Sequence, residues 1–390
     1  MFYSSPAIAT FALLLHGVST QAARCTIPAT LDAQLNIWKD HVLHPTSLYR
    51  RQVEEAAAAI MDEELKEQAS RVAGIGTFTW MESTEDIQAL SAVADEVPCS
   101  EILGIVLDNL PYKDAVLNNP EDEYDPSTED AYQTLLLKPL AEAIKASPTT
   151  AFAVIVEPDA FAQFFNATTT STPSAHETNL IRSYRANIPS ALAALNLANV
   201  IMYLDIGHSN SLDWSRHRNA TADAIAAIYD AAGSPSQVRG FATNVANWNA
   251  WSLAPGEFAQ ADDSQDIRPS NEQTLVRLLS TSLRAREVPS FAIFDTSRNG
   301  VSGLRASWDE WCNVNGAGLG ARPGAAADED GALDAYVWAK RPGESDGVSS
   351  EHGGDAVGCA ALSAVRPAPE RDVWFQGYFE MLVRNAEPEL

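Results

Sequence analysis

The sequence predicts an α/β protein built on a parallel sheet, and three observations carry that prediction. Short apolar runs alternate with helix-like segments along most of the chain, the pattern of strands joined by helical crossovers. The clearest run, Ala153-Val154-Ile155-Val156, is apolar at every position, as suits a strand buried on both faces. It stops at Glu157-Pro158-Asp159, where Pro158 has no N–H to give to a ladder. Asp159 is therefore presented just past the carboxyl end of a buried strand, where α/β sheets and barrels hold their chemistry.

Taken in order, residues 7–15 (AIATFALLL) form an apolar core too short to span a bilayer, with small residues around Thr20 and Ala22 to offer a cleavage site. Residues 1–23 read as a secretory signal peptide, although the first Lys or Arg is Arg24, and 24–390 as one domain. Residues 31–38 read as a first strand, and 49–72, Ala/Glu-rich without Pro or Gly, as a helix. Apolar runs follow at 75–81, 102–107, 152–156, 200–204, 238–242, 291–294 and 333–338. Helix-like segments at 131–146, 180–197, 220–232 and 271–284 lie between most of them. The Gly-rich stretches 316–330 and 343–358 read as long surface loops.

With 390 residues, 46% of them hydrophobic, the chain can bury a substantial core. Its 52 acidic and 26 basic residues leave a formal charge of -26, which repels phosphate backbones and anionic headgroups. Nucleic acid and membrane partners are thereby disfavoured, whereas a neutral substrate meets no barrier. Asn166-Ala167-Thr168 and Asn219-Ala220-Thr221 are N-glycosylation sequons, which agrees with export. The four cysteines, Cys25, Cys99, Cys312 and Cys359, contain no C-x-x-C pair and point to two disulfides in an oxidising compartment. His41 and His44 lack the H-E-x-x-H arrangement and read as solvent-exposed, so no metal site is expected.

Polar residues capable of chemistry follow nearly every run: Glu82; Asp108 and Asp114; Glu157 and Asp159; Asp205 and His208; Asn244 and Asn247; Asp295 and Arg298; Lys340, Glu344 and Asp346. Turns favour Asp and Asn anyway, but in a closed barrel these ends converge into one cleft lined with carboxylates. Trp38, Trp80, Trp248, Trp251, Trp311 and Trp338 lie in or just after the runs, with Trp214 soon after another. Indole faces stack on sugar rings, although some of these residues, Trp338 among them, read as core. Gly207-His208-Ser209-Asn210-Ser211 nearly spells the G-x-S-x-G nucleophile elbow but lacks its last glycine, which leaves a Ser209 esterase as a remote alternative.

Together the motifs 78–81 (FTWM), Leu110-Pro111 with Asp114, Val156-Glu157-Pro158-Asp159, 199–208 (NVIMYLDIGH), 239–251 (RGFATNVANWNAW), 308–314 (WDEWCNV), 338–347 (WAKRPGESDG) and Trp374-Phe375-Gln376 carry a resemblance. From Trp38 to the C-terminus the chain resembles glycoside hydrolase family 6, the secreted cellobiohydrolases and endoglucanases that cleave β-1,4-glucans. The resemblance implies a single distorted, partly open, TIM-like parallel β/α barrel of about seven strands, with long loops forming a cleft or tunnel. It also implies a secreted monomer that hydrolyses a β-glucan polysaccharide or oligosaccharide with inversion, without cofactor or metal.

By the same resemblance Asp159 is the general acid, and Asp114 is the neighbouring carboxylate whose charge holds that proton on. Asp346 matches the candidate base, acting directly or through a second water. Asp205, His208, Asn247, Lys340 and Glu344 match sugar-binding positions, and Trp38, Trp214 and Trp311 stacking platforms. A Cys312–Cys359 bridge is implied, which leaves Cys25 and Cys99 as the other pair. Several positions depart from the family pattern. Asp108 replaces a substrate-distorting tyrosine and is expected to add charge beside Asp114 and Asp159. Lys113 replaces an arginine, Ser211 replaces a stacking tryptophan, and Asn118-Asn119-Pro120 occupy the region of a water-holding serine. These departures keep open a glycan-binding member with reduced, absent or altered activity.

Overall fold

The computed structural model describes residues 25–113, 130–211, 214–252, 271–307, 310–327, 330–350, 353–354 and 357–390. The expected leader 1–23, the expected catalytic Asp114 and the segment Asn118-Asn119-Pro120 lie outside the described residues.

The fold opens on a short 3-10 turn (Ile37–Lys39) and a strand β1 (Val42–Leu43), where the apolar content of 31–38 predicts a strand. The Asn36 side chain accepts the Trp38 N–H at 3.0 Å, so the chain winds here instead of extending. The helix predicted over 49–72 is two helices, α1 (Ser47–Ala59) and α2 (Glu63–Val72). Asp62 divides them by capping α2, its carboxylate accepting the N–H groups of Glu64 and Leu65.

The chain continues through β2 (Thr79–Met81), α3 (Thr84–Ala94), β3 (Glu101–Leu107), a π-helical turn (Tyr132–Leu137) that runs into α4 (Lys138–Ala146), and β4 (Ala151–Val156). Next come α5 (Ala160–Thr169), α6 (Ala175–Ala194), β5 (Val200–Asp205), α7 (Trp214–Ala231), β6 (Val238–Thr243), α8 (Glu272–Arg284) and β7 (Phe291–Asp295). The last part holds β8 (Gly324–Ala325), β9 (Leu333–Val337), the antiparallel pair β10 (Ser349–Ser350) and β11 (Gly353–Gly354), α9 (Val357–Ala360) and α10 (Gln376–Arg384).

Strands β3, β4, β5, β6, β7 and β9 pair in that order, all parallel, and β8 runs antiparallel on β9. β1 lies beside the first residues of β3 and β2 beside its last, so the two share one position at that edge. The Phe78 N–H donates to the Trp338 carbonyl at 3.0 Å, drawing this edge towards the end of β9. The sheet thus curves into a nearly closed barrel, in agreement with the expected fold class.

Side-chain parity explains the continuous apolar runs. Leu103, Ile105, Leu107, Phe152, Val154, Val156, Val200, Met202 and Leu204 face the helices. The alternate residues Ile102, Val106, Ala153, Ile155, Ile201 and Tyr203 fill the barrel interior. Both parities are buried, so neither face selects polar residues. Each large aliphatic or aromatic side chain buried here contributes about 1.5–3 kcal/mol.

Trp38 belongs to this interior and is only 4% exposed, so it offers no face to a sugar ring. Its indole N–H donates to the Tyr203 hydroxyl at 3.1 Å. That hydroxyl donates in turn to Asp334, which Arg239 clasps with two bonds of 2.8 Å. Arg239 and Asp334 are the second residues of β6 and β9, so Trp38 plugs the end of the barrel opposite the strand carboxyl ends. The stacking role expected for Trp38 is therefore corrected.

The stretches 316–330 and 343–358 are not simply surface loops. Ala317 and Leu319 are fully buried with residues of α1, α2 and α10. Gly318 permits that packing, because a Cβ there would stand 1.9 Å from the Asn385 carbonyl oxygen. His44 is likewise not solvent-exposed: it is 6% exposed, and its Nδ1 lies 2.5 Å from the Glu101 carboxylate. Both expected disulfides are present, Cys25–Cys99 and Cys312–Cys359. Among the described residues no helix is long and apolar enough to cross a membrane.

Candidate active site

Parallel pairing brings the carboxyl ends of the strands to one rim. There β2, β3, β4 and β5 deliver Glu82, Asp108, Glu157 with Asp159, and Asp205. The loops after β6, β7 and β9 deliver Asn247, Arg298, Lys340, Glu344 and Asp346 to the same rim.

The turn after β4 is strained. Glu157 and Asp159, on either side of Pro158, have φ of 51° and 60°. Positive φ is costly for residues with a Cβ and persists only where the surroundings hold it. Glu157 supplies one hold: it is fully buried, and its carboxylate accepts the Asn109 and Leu110 N–H groups at 3.1 and 2.9 Å and the Tyr132 hydroxyl at 2.9 Å. Burial raises the Glu157 carboxyl above its ordinary range, against the pull of the nearby Lys113 ammonium. Asp205 supplies the other: its Oδ1 accepts the Asp159 N–H at 2.7 Å and the Gly207 N–H at 2.8 Å. Asp205 is 1% exposed, and burial, followed by the Asp159 charge, lifts its carboxyl well above the usual range. It thus bears on the site through the Asp159 backbone. The Asp159 side chain is exposed.

The loop after β5 is held from beneath. Glu272, fully buried at the start of α8, accepts the Ser209 N–H at 2.7 Å, the Thr243 hydroxyl at 2.6 Å and the Asn249 amide at 2.7 Å. Ser209 is itself fully buried, and its hydroxyl accepts from Asn249 at 3.2 Å, so it is no exposed nucleophile. His208 is partly buried at the top of this loop. Burial, with the Arg305 charge, pushes its imidazole down to about 3, so it stays neutral at ordinary pH. Arg305 also binds Asn247 at 3.1 Å and Asn249 at 2.7 Å, fixing the Asn247 amide. Ser211 folds its hydroxyl onto the His208 backbone at 2.8 Å and provides no stacking surface. Trp214 begins α7, and its side chain lies outside the described residues.

Asp108 corrects a second expectation. It is 8% exposed and makes an ion pair with Lys113, whose ammonium also stands 3.8 Å from Glu157. Its charge is matched within the protein and does not add to that of Asp159. Lys113 suits this place as a compact point charge.

Across the rim, Arg298 Nη1 donates to both oxygens of Asp346 at 2.7 and 2.9 Å. Asp346 also exchanges two bonds with Asn313, accepting the backbone N–H at 2.8 Å and donating its own N–H to the side chain at 2.9 Å. Arg298 is fully buried, donates to the Ala246 carbonyl and lies 3.9 Å over the Trp248 ring. The sequence places Arg298 after a strand, but nothing in it pairs that residue with a carboxylate 48 positions away. Lys340 bonds Asp372 at 2.6 Å and stands 3.6 Å from Glu344, which Arg341 holds at 2.8 Å. Burial raises the Glu344 carboxyl despite both cations. Asp372, Arg305 and Glu272 were invisible as site residues because each acts through a partner distant in sequence. Of the expected platforms, Trp311 is exposed at 38%, beside the Cys312–Cys359 bridge. Trp80 is partly exposed, and Trp248 and Trp338 are core.

Comparison with known proteins gives one consistent result. The family model described as Glycosyl hydrolases family 6 matches residues 38–386. The chain is 41% identical over 373 residues to the 1,4-beta-D-glucan cellobiohydrolase CEL6C of Podospora anserina, covering 94% of this chain and 92% of that protein. It superposes on the catalytic core domain of the cellobiohydrolase Cel6A from Chaetomium thermophilum with a TM-score of 0.79 at 30% identity, covering 90% and 99% of the two chains. It superposes on the endoglucanase CEL6B from Humicola insolens with a TM-score of 0.76 at 28% identity, covering 90% and 99%.

Proposed function

We propose, from the premise that this chain belongs to glycosyl hydrolases family 6, a division of labour among its rim residues. The chain is an enzyme that hydrolyses β-1,4-glucosidic bonds of cellulose-type glucans with inversion at the anomeric carbon. Asp159 is the general acid. It gives its proton to the glycosidic oxygen as the C1–O bond breaks and the electron pair leaves on that oxygen. Water adds to C1 from the opposite ring face and loses its proton along a route that ends at Asp346.

One observation carries the assignment of Asp159. Of the three acidic residues Glu157, Asp159 and Asp205, only Asp159 is exposed. Both Glu157 oxygens, and Oδ1 of Asp205, accept from internal donors that hold the turn. A bonded network of this kind fixes the backbone that carries Asp159. Both Asp346 oxygens already accept from Arg298, which favours proton transfer through a second water over direct contact. His208, Asn247, Lys340 and Glu344 bind sugar hydroxyls in this reading, and Trp311 stacks on a ring. Asp114 completes the acid side.

Export with removal of residues 1–23, and glycosylation at the exposed Asn166 and Asn219, belong to the same proposal.

The test is product analysis on cellohexaose, barley β-glucan and amorphous cellulose, beside an Asp159→Ala control. Shorter oligosaccharides from the parent and none from the variant are expected, with the first products in the inverted configuration by NMR. Equal product from both removes Asp159 from its role, and retained configuration removes the mechanism. Oligosaccharide binding without product from either would make the chain a glycan-binding member.

A further inference from the structure

The segment that leads from β3 towards Asp114 is folded back on itself. Asn109 and Leu110 give their N–H groups to the Glu157 carboxylate at 3.1 and 2.9 Å. The Lys113 N–H closes onto the Leu110 carbonyl at 3.1 Å, with Tyr112 at a φ of 67° between them. Lys113 then returns its ammonium to Asp108, where the segment began. Side-chain exposures of 9% for Lys113 and 7% for Asp108 leave little water to screen either charge. Charges this buried stay together, because separating them strands both in a poorly solvating medium.

We infer that Asp108 and Lys113 form a charge-neutral clasp that closes the turn 108–113 and thereby sets the field over the acid side of the cleft. Both are positioning residues; neither contacts the reacting atoms. The inference rests on Asp159 as general acid.

Lys113 contacts Asp108 after β3 and stands 3.8 Å from Glu157 after β4, and its charge also reaches Asp205 at the end of β5 and Glu82 after β2. Its charge favours the ionised form of Glu157, Asp205 and Glu82. Asp205 in turn interacts with Asp159 and holds its N–H. Asp108 cancels that positive charge at the source. Neutralising Asp108 alone frees Lys113 to close the 3.8 Å gap to Glu157 and leaves the acid side more positive. Acids there then lose their protons at lower pH. Neutralising Lys113 alone does the reverse.

The test measures the pH dependence of kcat/KM on cellohexaose, together with Tm, for the full-length parent, Asp108→Asn, Lys113→Met and the double variant. The alkaline limb is expected to move down by about 0.5–1 pH unit in Asp108→Asn and up by a similar amount in Lys113→Met. The double variant should return to within about 0.3 unit of the parent. Lys113→Arg should keep the parental limb. A turn that is merely structural lowers Tm without moving the limb in opposite directions, so shifts of the same sign, or none, overturn the inference. Should the parent lack glucanase activity, the assignment of Asp159 fails separately. The Tm values still read the clasp: losses in the single variants that the double recovers support it, and additive losses refute it.

Discussion

Replacing Arg298 by methionine is the most informative single perturbation of this barrel. Arg298→Met keeps comparable volume over Trp248 but removes the two bonds to Asp346 and the bond to the Ala246 carbonyl. Among the described residues, Asp346, at 8% side-chain exposure, then keeps the Asn313 N–H at 2.8 Å as its one donor. Stranding one member of a buried pair costs about 3–5 kcal/mol. At roughly 2.1 cal/mol/K of unfolding entropy per residue, a 390-residue chain loses about 4–6 °C of Tm for that cost. The freed carboxylate also moves from its place opposite the acid, and misplacement of about 1 Å costs on the order of a hundredfold in rate. Scanning calorimetry gives the first quantity and cellohexaose turnover the second. Adding Asp346→Asn to Arg298→Met should recover at least about half of the lost Tm and none of the rate, because the stranded charge is gone but so is the base. A Tm loss below about 1 °C in Arg298→Met, or no recovery in the double variant, would refute the reasoning.

Three further outcomes are expected. Glu157→Gln should cost about 2–4 kcal/mol in urea denaturation, since an amide turns a donor towards N–H groups that need acceptors. The raised Glu157 carboxyl gives a stability term that is fully present below the unfolded carboxylate value and lost as pH rises through the folded one. The gap between parent and variant should therefore be wider at pH 4 than at pH 8. The His208 imidazole, with its pKa pushed down to about 3, should show no NMR titration step between pH 7.5 and 4.5; its stabilising term is present above 6.5 and lost as pH falls towards 3. A midpoint near 6.5 would contradict the burial argument. Opening Cys312–Cys359 with paired serines releases a loop with a sequence separation of 47, worth about 4 kcal/mol in the chain-entropy account. Tm should fall accordingly, and KM for cellohexaose should rise more than kcat falls as Trp311 loses its anchor.

The strands were legible because each run is apolar in both parities: Phe152, Val154 and Val156 meet helices while Ala153 and Ile155 meet the barrel interior. The site was legible as a set of strand-end residues, since Glu82, Asp108, Glu157, Asp205 and Lys340 each follow a run directly or closely. Local pattern failed where a side chain answered to a distant partner. Trp38 looked like a platform until Tyr203 and Asp334 closed over its N–H, and His44 looked exposed until Glu101 met it. The split of 49–72 at Asp62 was readable in principle, for an aspartate before Glu63-Glu64 is a helix-start signal.

By itself the amino-acid sequence determined the α/β class, the positions of the main sheet strands and of most helices between them, and the residues displayed at the strand ends. Those properties follow from periodicity and punctuation over a few neighbouring residues. Only the tertiary structure decided which carboxylates are spent inside the protein. Arg298 claims Asp346, Lys113 claims Asp108, and Asp205 accepts the Asp159 N–H, while the Asp159 side chain is exposed at the rim. Charge pairing depends on distances of a few ångströms between strand ends far apart in the chain, and those distances exist only once the barrel has closed.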